Sequence, residues 1–202
     1  MLPRLPTHRM LVVATAAVLG VALARASSPA RWGPGETILF WIEDVNIPAD
    51  YQDTVRRAVN TWTVAGGGQL AFREAREFPS TGIRIRFVKG DTNFGEAAPY
   101  IDRRTDRIVR ADVVLSVDAP GDTLQKQVVL YLTALHEIGH ALGLPHTDDF
   151  NAIMYRFQRP VDPDRYFLRY RKGLRSAGDI GSERATGLFQ ADLKALRKLY
   201  SR

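Results

Sequence analysis

The chain has 202 residues, 45% of them hydrophobic and 25% charged, with a formal net charge of +6 and no cysteine. That composition is enough for one substantial core and excludes a low-complexity chain. The missing thiols exclude disulfides, thiolate metal ligands, a cysteine nucleophile and lipid attachment at cysteine.

The N-terminus departs from this average. Arg4, His8 and Arg9 flank the apolar run Met10 to Ala24, and Ala24-Arg25-Ala26 follows in a pattern that signal peptidases accept. The run is 15 residues long, short of the roughly 20 that a spanning helix needs. The expectation is a cleaved signal peptide over residues 1–26 and one domain over residues 27–202, secreted or periplasmic, with no stable membrane insertion after cleavage. Residues 1–26 hold three arginines and no acid, so the formal charge of the remainder falls to +3.

"TILFWIED", Thr37 to Asp44, is β-branched and aromatic and predicts a strand. Pro48 and Asp50 introduce a helix in which Val55, Ala58, Val59 and Trp62 recur at helical spacing, and Gly66-Gly67-Gly68 ends it. Strands are predicted at Leu70 to Glu74 and at Ile83 to Val88, the second with strict alternation. "GEAAPYI" and "RIVRADVVLSV" flank Arg103 to Asp106 as a hairpin. Asp122 is a good N-cap for the next helix, and Gln125 completes a capping box. Val128, Leu132, Leu135 and Leu142 form its buried stripe, Gly139 permits a close neighbour, and Gly143 stops the helix. A last amphipathic helix places Leu193, Leu196, Leu199 and Tyr200 on one face. The order of elements predicts α+β or α/β layer packing, with helices shielding a twisted sheet.

Three of the four histidines fall within "HEIGHALGLPH", His136 to His146. On a helix His136 and His140 share a face, and Glu137 is offset by about 100° beside them. Gly143 lets the chain turn so that His146 can come back beneath the pair. Three neutral imidazoles with an open fourth position suit a catalytic rather than a structural zinc, which acidifies water to near neutrality. Glu137 is placed to take that water's proton and pass it to a leaving amine. The full spacing H-E-x-x-H-x-x-G-x-x-H arises by chance in a chain this size on the order of once in a hundred thousand, so incidental surface histidines are a poor explanation.

At these residues the sequence resembles the metzincin metalloproteases and, within them, the matrixins. "AIM" stands eight residues beyond the last histidine, which identifies Met154 with the methionine of the family's Met-turn, and Thr147 also looks matrixin-like. "RWGPGETILFWI", "AVNTWTVAGGGQLAFRE" and "ADLKALRKLY" extend the likeness. The resemblance implies an α+β zincin-like catalytic domain: a twisted mixed sheet, a zinc-binding helix, a Met-turn and a C-terminal helix. It implies one catalytic Zn²⁺ on His136, His140 and His146, with Glu137 as general base. It implies that Gly95, Glu96, Ala97 and Ala98 belong to an edge strand that pairs with an extended substrate.

The chain departs from the animal matrixin pattern. It lacks histidines for a second, structural zinc. Calcium has no clear acidic loop: Asp91, Asn93 and Glu96 hint at one but read better as surface turn residues. Only ten residues, Ser27 to Glu36, separate the expected cleavage point from the first strand, so activity without further trimming is expected.

Arg156 to Gly187 holds eight basic and four acidic residues with interleaved aromatics. It reads better as a long solvated loop than as an anionic-surface contact, and no nucleic-acid partner is expected. The function expected is a secreted zinc endopeptidase, a monomer acting on proteins or peptides. Two alternatives are a non-catalytic zinc-binding or adhesion module, which would have no use for Glu137, and an anionic-surface-binding protein, whose affinity would survive metal removal.

Overall fold

A computed structural model of the chain describes residues 29–44, 47–90 and 94–201. The expected signal peptide, residues 1–26, and the calcium candidates Asp91 and Asn93 lie outside the described residues. Five strands form one sheet: β1 (Thr37–Ile42), β2 (Ala71–Glu74), β3 (Gly82–Val88), β4 (Gly95–Asp102) and β5 (Arg107–Ser116). Their spatial order is β2-β1-β3-β5-β4, parallel except for the antiparallel β4–β5 hairpin. The sheet is therefore mixed, and β4 is an edge strand next to a single neighbour.

The period-2 patterns place Ile38, Phe40 and Ile42 of β1, Ile83 and Ile85 of β3, and Ala111, Val113 and Leu115 of β5 inside. Their alternates, Arg84, Arg86, Arg110 and Asp112 among them, are half-buried or exposed. Two helices cover the apolar side. In α1 (Ala49–Ala65) the residues read from the spacing, Val55, Ala58, Val59 and Trp62, are all buried, with Thr54 and Thr61 beside them. In α2 (Thr123–Ala141) Val128, Leu132, Leu135 and the following Leu142 are all buried. The Trp62 indole crosses between the helices and donates to the Leu135 carbonyl at 2.9 Å.

The start of α2 corrects one expectation. The Asp122 carboxylate caps the Gln125 amide at 2.8 Å, but Gln125 does not return the bond. Its side-chain oxygen instead accepts from Arg171 at 3.2 Å, and the same guanidinium reaches Asp122 at 2.6 Å. A nearby guanidinium outcompetes a backbone amide for the glutamine oxygen because the charged donor makes the stronger bond.

The end of α2 carries the site and is unusually well tied. Leu144 and Gly143 donate back to the carbonyls of Gly139 and His140 at 3.0 and 2.9 Å, a Schellman closure. Two further end carbonyls, Ala141 and Leu142, accept from the Trp32 indole at 2.9 Å and the Tyr200 hydroxyl at 2.8 Å. Gly143 has φ +95°, and a Cβ there would also collide with the Ala30 carbonyl. Gly143→Ala should cost about 1–3 kcal/mol of stability from the backbone conformation alone, read as a lower midpoint in urea unfolding. An unchanged midpoint would mean that this closure is not rigid.

The segment expected to be a long loop is partly helical. α3 (Asp162–Lys172) lies within it, with Tyr166 and Phe167 buried. Its arginines are largely engaged. Arg156, Arg159, Arg171 and Arg184 meet Asp148, Asp162, Asp122 and Asp179 at 2.6–3.0 Å, and Arg169 lies over the rings of Phe150, Tyr166 and Phe189. α4 (Gln190–Tyr200) closes the chain; Leu196, Leu199 and Tyr200 are buried as expected, whereas Leu193 is only half-buried. No helix among the described residues is long and apolar enough to cross a membrane.

Candidate metal centre

The helical spacing of His136 and His140 and the tight turn after Gly143 bring three imidazoles to one point. Their Nε2 atoms stand 3.1–3.2 Å apart, each from both others. The other ring nitrogens show that His136 and His140 do not hydrogen-bond to each other. His136 Nδ1 is 2.6 Å from the Ile153 carbonyl and His140 Nδ1 is 2.9 Å from the Leu144 carbonyl. A carbonyl can only accept, so both protons sit on Nδ1 and both Nε2 atoms present bare lone pairs. Lone pairs facing each other at this distance repel unless a cation lies between them.

Three nitrogens about 2.0–2.1 Å from a common centre, in tetrahedral directions, would stand about 3.3 Å apart. The triangle fits a metal ion of that coordination. Among the described residues it is the one group of histidine, cysteine or acidic side chains that could hold a metal. Burial lowers all three imidazoles, His136 to about 4, so that each is neutral near pH 7. Neutral imidazole is the ligating form.

Glu137 is 7% exposed and lies beside the triad. Burial pushes its carboxyl up to about 7, and the nearby Glu96 adds to the shift. A cation held by the histidines would pull it down again. Gly95 on the edge strand leaves room for this side chain. A Cβ there would stand 2.7 Å from a Thr133 methyl and 3.0 Å from Glu137 Cγ. Next to Glu137 opens a cavity of about 350 Å³, walled by His136, Leu132, Phe157, Tyr166 and Phe167.

Of the four predicted strand residues, Gly95 borders this cavity and Ala97 lines a shallow apolar surface with His140 and His146. Glu96 and Ala98 are exposed. The alternation of the strand thus turns one pair toward the site and the other away from it.

Met154 is 2% exposed and packs beneath α2 at Gly139, where any Cβ would collide with its sulfur. The turn that carries it is stitched to the third histidine's loop. Thr147 donates to the Met154 carbonyl at 2.8 Å and accepts from the Arg156 amide at 3.0 Å. One residue of this assembly went unread in the sequence. Asp192 of α4, 1% exposed, accepts from the amides of Ile153 at 3.0 Å, Phe189 at 2.9 Å and Met154 at 3.4 Å. The Ile153 carbonyl on that same turn is the one that orients His136. A signal was present: Asp192 lies four and seven residues before Leu196 and Leu199, on the buried face.

Asp192→Ala should therefore strand the two buried amides of Ile153 and Met154, at about 1–3 kcal/mol for each one left without a partner. Affinity for a metal ion held by the three histidines, probed with zinc, should fall roughly 10–100-fold, as is typical when an outer partner of a metal ligand is lost. Urea unfolding and zinc competition against a chromogenic chelator would read the two effects. Unchanged zinc affinity in a folded variant would show that the turn does not hold His136.

A family model described as Matrixin matches residues 37–170. Metalloendoproteinase 1 of Glycine max is 28% identical over 185 residues, covering 84% of this chain and 52% of that protein. Hatching enzyme of Paracentrotus lividus is 31% identical over 122 residues, 57% of this chain and 20% of that protein. A putative matrix metalloproteinase of Spodoptera frugiperda ascovirus 1a is 27% identical over 150 residues, 64% and 38% of the two chains. The chain spans about half the length of these relatives, or less.

Proposed function

The chain belongs to the matrixin family, and on that premise we propose that it is a zinc-dependent endopeptidase, secreted and acting as a monomer on protein or peptide substrates. The observation that carries the reading is the triangle of Nε2 atoms with Glu137 beside it. His136, His140 and His146 would hold one Zn²⁺. Zinc at such a centre supplies Lewis acidity, acidifying a water and polarising the scissile carbonyl. Secretion is supported by the apolar run Met10 to Ala24 and the Ala24-Arg25-Ala26 pattern.

The protein's own groups do the rest. Glu137 takes a proton from the attacking water and returns it to the leaving amine. Its carboxylate needs room and a fixed direction, which Gly95 and the packed helix provide. An extended substrate lies along the outer edge of β4, where backbone hydrogen bonds give affinity without regard to sequence. The amine that Glu137 protonates belongs to the residue after the scissile bond. The cavity that opens at Glu137 therefore faces that residue's side chain, and its aromatic walls suit an apolar one.

A reading as an anionic-surface binder loses support from the pairing of the arginines in residues 156–187. The test of the proposal is to incubate the protein with a diverse peptide mixture, with and without a zinc chelator, and identify new termini by mass spectrometry. Chelator-sensitive cleavage before large apolar residues is expected. No new termini with zinc bound would reject it.

A further inference from the structure

We propose that Glu96 makes the site favour lysine or arginine as the residue just before the scissile bond. The inference rests on the peptidase reading above and concerns which peptides such a site takes. β4 is an edge strand, so a substrate lying along its free side becomes a further strand of the sheet. Two fixed points give its direction. The cavity that faces the residue after the bond opens at Gly95, and the surface shared with His140 and His146 lies two residues on, at Ala97. The substrate therefore runs antiparallel to β4, with its amino-terminal side over Ala97.

Side chains alternate along a strand. The residue after the bond turns toward α2 and the cavity, so the residue before it turns to the opposite face of the sheet. Glu96 is on that face. Gly95 and Ala97 pair with Leu115 and Val113, which are buried beneath the sheet, whereas Glu96 pairs with Val114 between them and is exposed. Side chains directly opposite on one face of an antiparallel pair stand about 4.5–5.5 Å apart at Cβ, within reach of an ion pair.

Nothing else on this stretch competes for the contact. Glu96 is the one charged side chain from Gly95 to Ala98. Among the described residues no ion pair engages it. In its row across the sheet the first cation, Arg86 of β3, stands beyond Val114. The charge of Glu96 also reaches the reacting centre, since it adds to the upward push that burial gives the Glu137 carboxyl. A cation before the bond offsets this excess of negative charge, and an acid there adds to it.

The experiment uses zinc-loaded protein and peptides that share leucine after the scissile bond and carry lysine, glutamine or glutamate before it. In low salt, wild type should favour lysine over glutamine roughly two- to fivefold in kcat/KM, the worth of an exposed ion pair. Repulsion of similar size should carry lysine over glutamate to roughly 4–25-fold. Glu96→Gln should bring both ratios close to one, and Glu96→Lys should invert them. Salt near 1 M should erase the wild-type preference, because exposed charges are then screened within roughly 3 Å. Lysine moved one residue further from the bond should gain nothing, since alternation turns it to the other face. Wild type that cleaves all three peptides equally, or a preference that survives in Glu96→Gln, would overturn the role of Glu96 and leave the peptidase reading intact. A preference that follows lysine at either position would do the same, because it would report the overall field of the protein. Cleavage of none of the peptides would instead reject the peptidase reading, and the role of Glu96 with it.

Discussion

Glu137→Gln should lower kcat/KM for peptide cleavage by roughly 10²–10⁴-fold, the usual worth of a positioned proton-transfer group, while zinc stays at one ion per chain. The amide matches the carboxylate in size, so the packing of Gly95 and Thr133 against Glu137 is preserved. What is lost is the capacity to take a proton from water and deliver it to the amine. Because Glu137 is not among the three nitrogens that converge, metal content should not follow activity. Two measurements on one sample, zinc by atomic absorption and initial rates on a cleavable peptide, separate the effects. A variant with normal turnover would remove Glu137 from the mechanism; one that loses its zinc would make it a ligand.

His140→Ala should act in the opposite order, with zinc leaving first and activity following. His140 is the member of the triad whose Nε2 stands 3.1 Å from both others. Removing it leaves two donors, one fewer than a catalytic zinc centre uses. The loss of affinity should exceed the roughly 10–100-fold typical of outer partners. The fold should survive, because the helix end is closed by Leu144 and Gly143 donating to backbone carbonyls rather than by the imidazole. Far-ultraviolet circular dichroism would check the fold and competition with a chromogenic chelator the affinity. Tight stoichiometric zinc in this variant would place the metal elsewhere.

The site was legible in the sequence because its chemistry is local. Three histidines and the acid lie within eleven residues, and helical geometry alone brings two of the histidines together. The strands were legible too, since period-2 alternation says which residues face inward. It does not say which strand lies next to which, so the order β2-β1-β3-β5-β4 had to come from the structure.

The helix α3 was hidden for a different reason. Tyr166, Phe167 and Tyr170 carry its apolar face amid six charged residues of eleven in "DPDRYFLRYRK", and the charge density reads as a solvated loop. In the folded protein those charges find partners distant in sequence, such as Arg171 on Asp122. Asp192 was hidden because an acid on an amphipathic helix is assumed to face water. Its partners, the amides of Ile153 and Met154, lie 39 and 38 residues away.

The most direct test of the zinc-peptidase account is a titration. Protein stripped with chelator receives zinc in fractional equivalents while cleavage of one defined peptide is followed. The account predicts no cleavage without metal, a linear rise in rate, and a break at one zinc per chain. Cleavage that persists in fully stripped protein, or silence after one tightly bound equivalent, would contradict it.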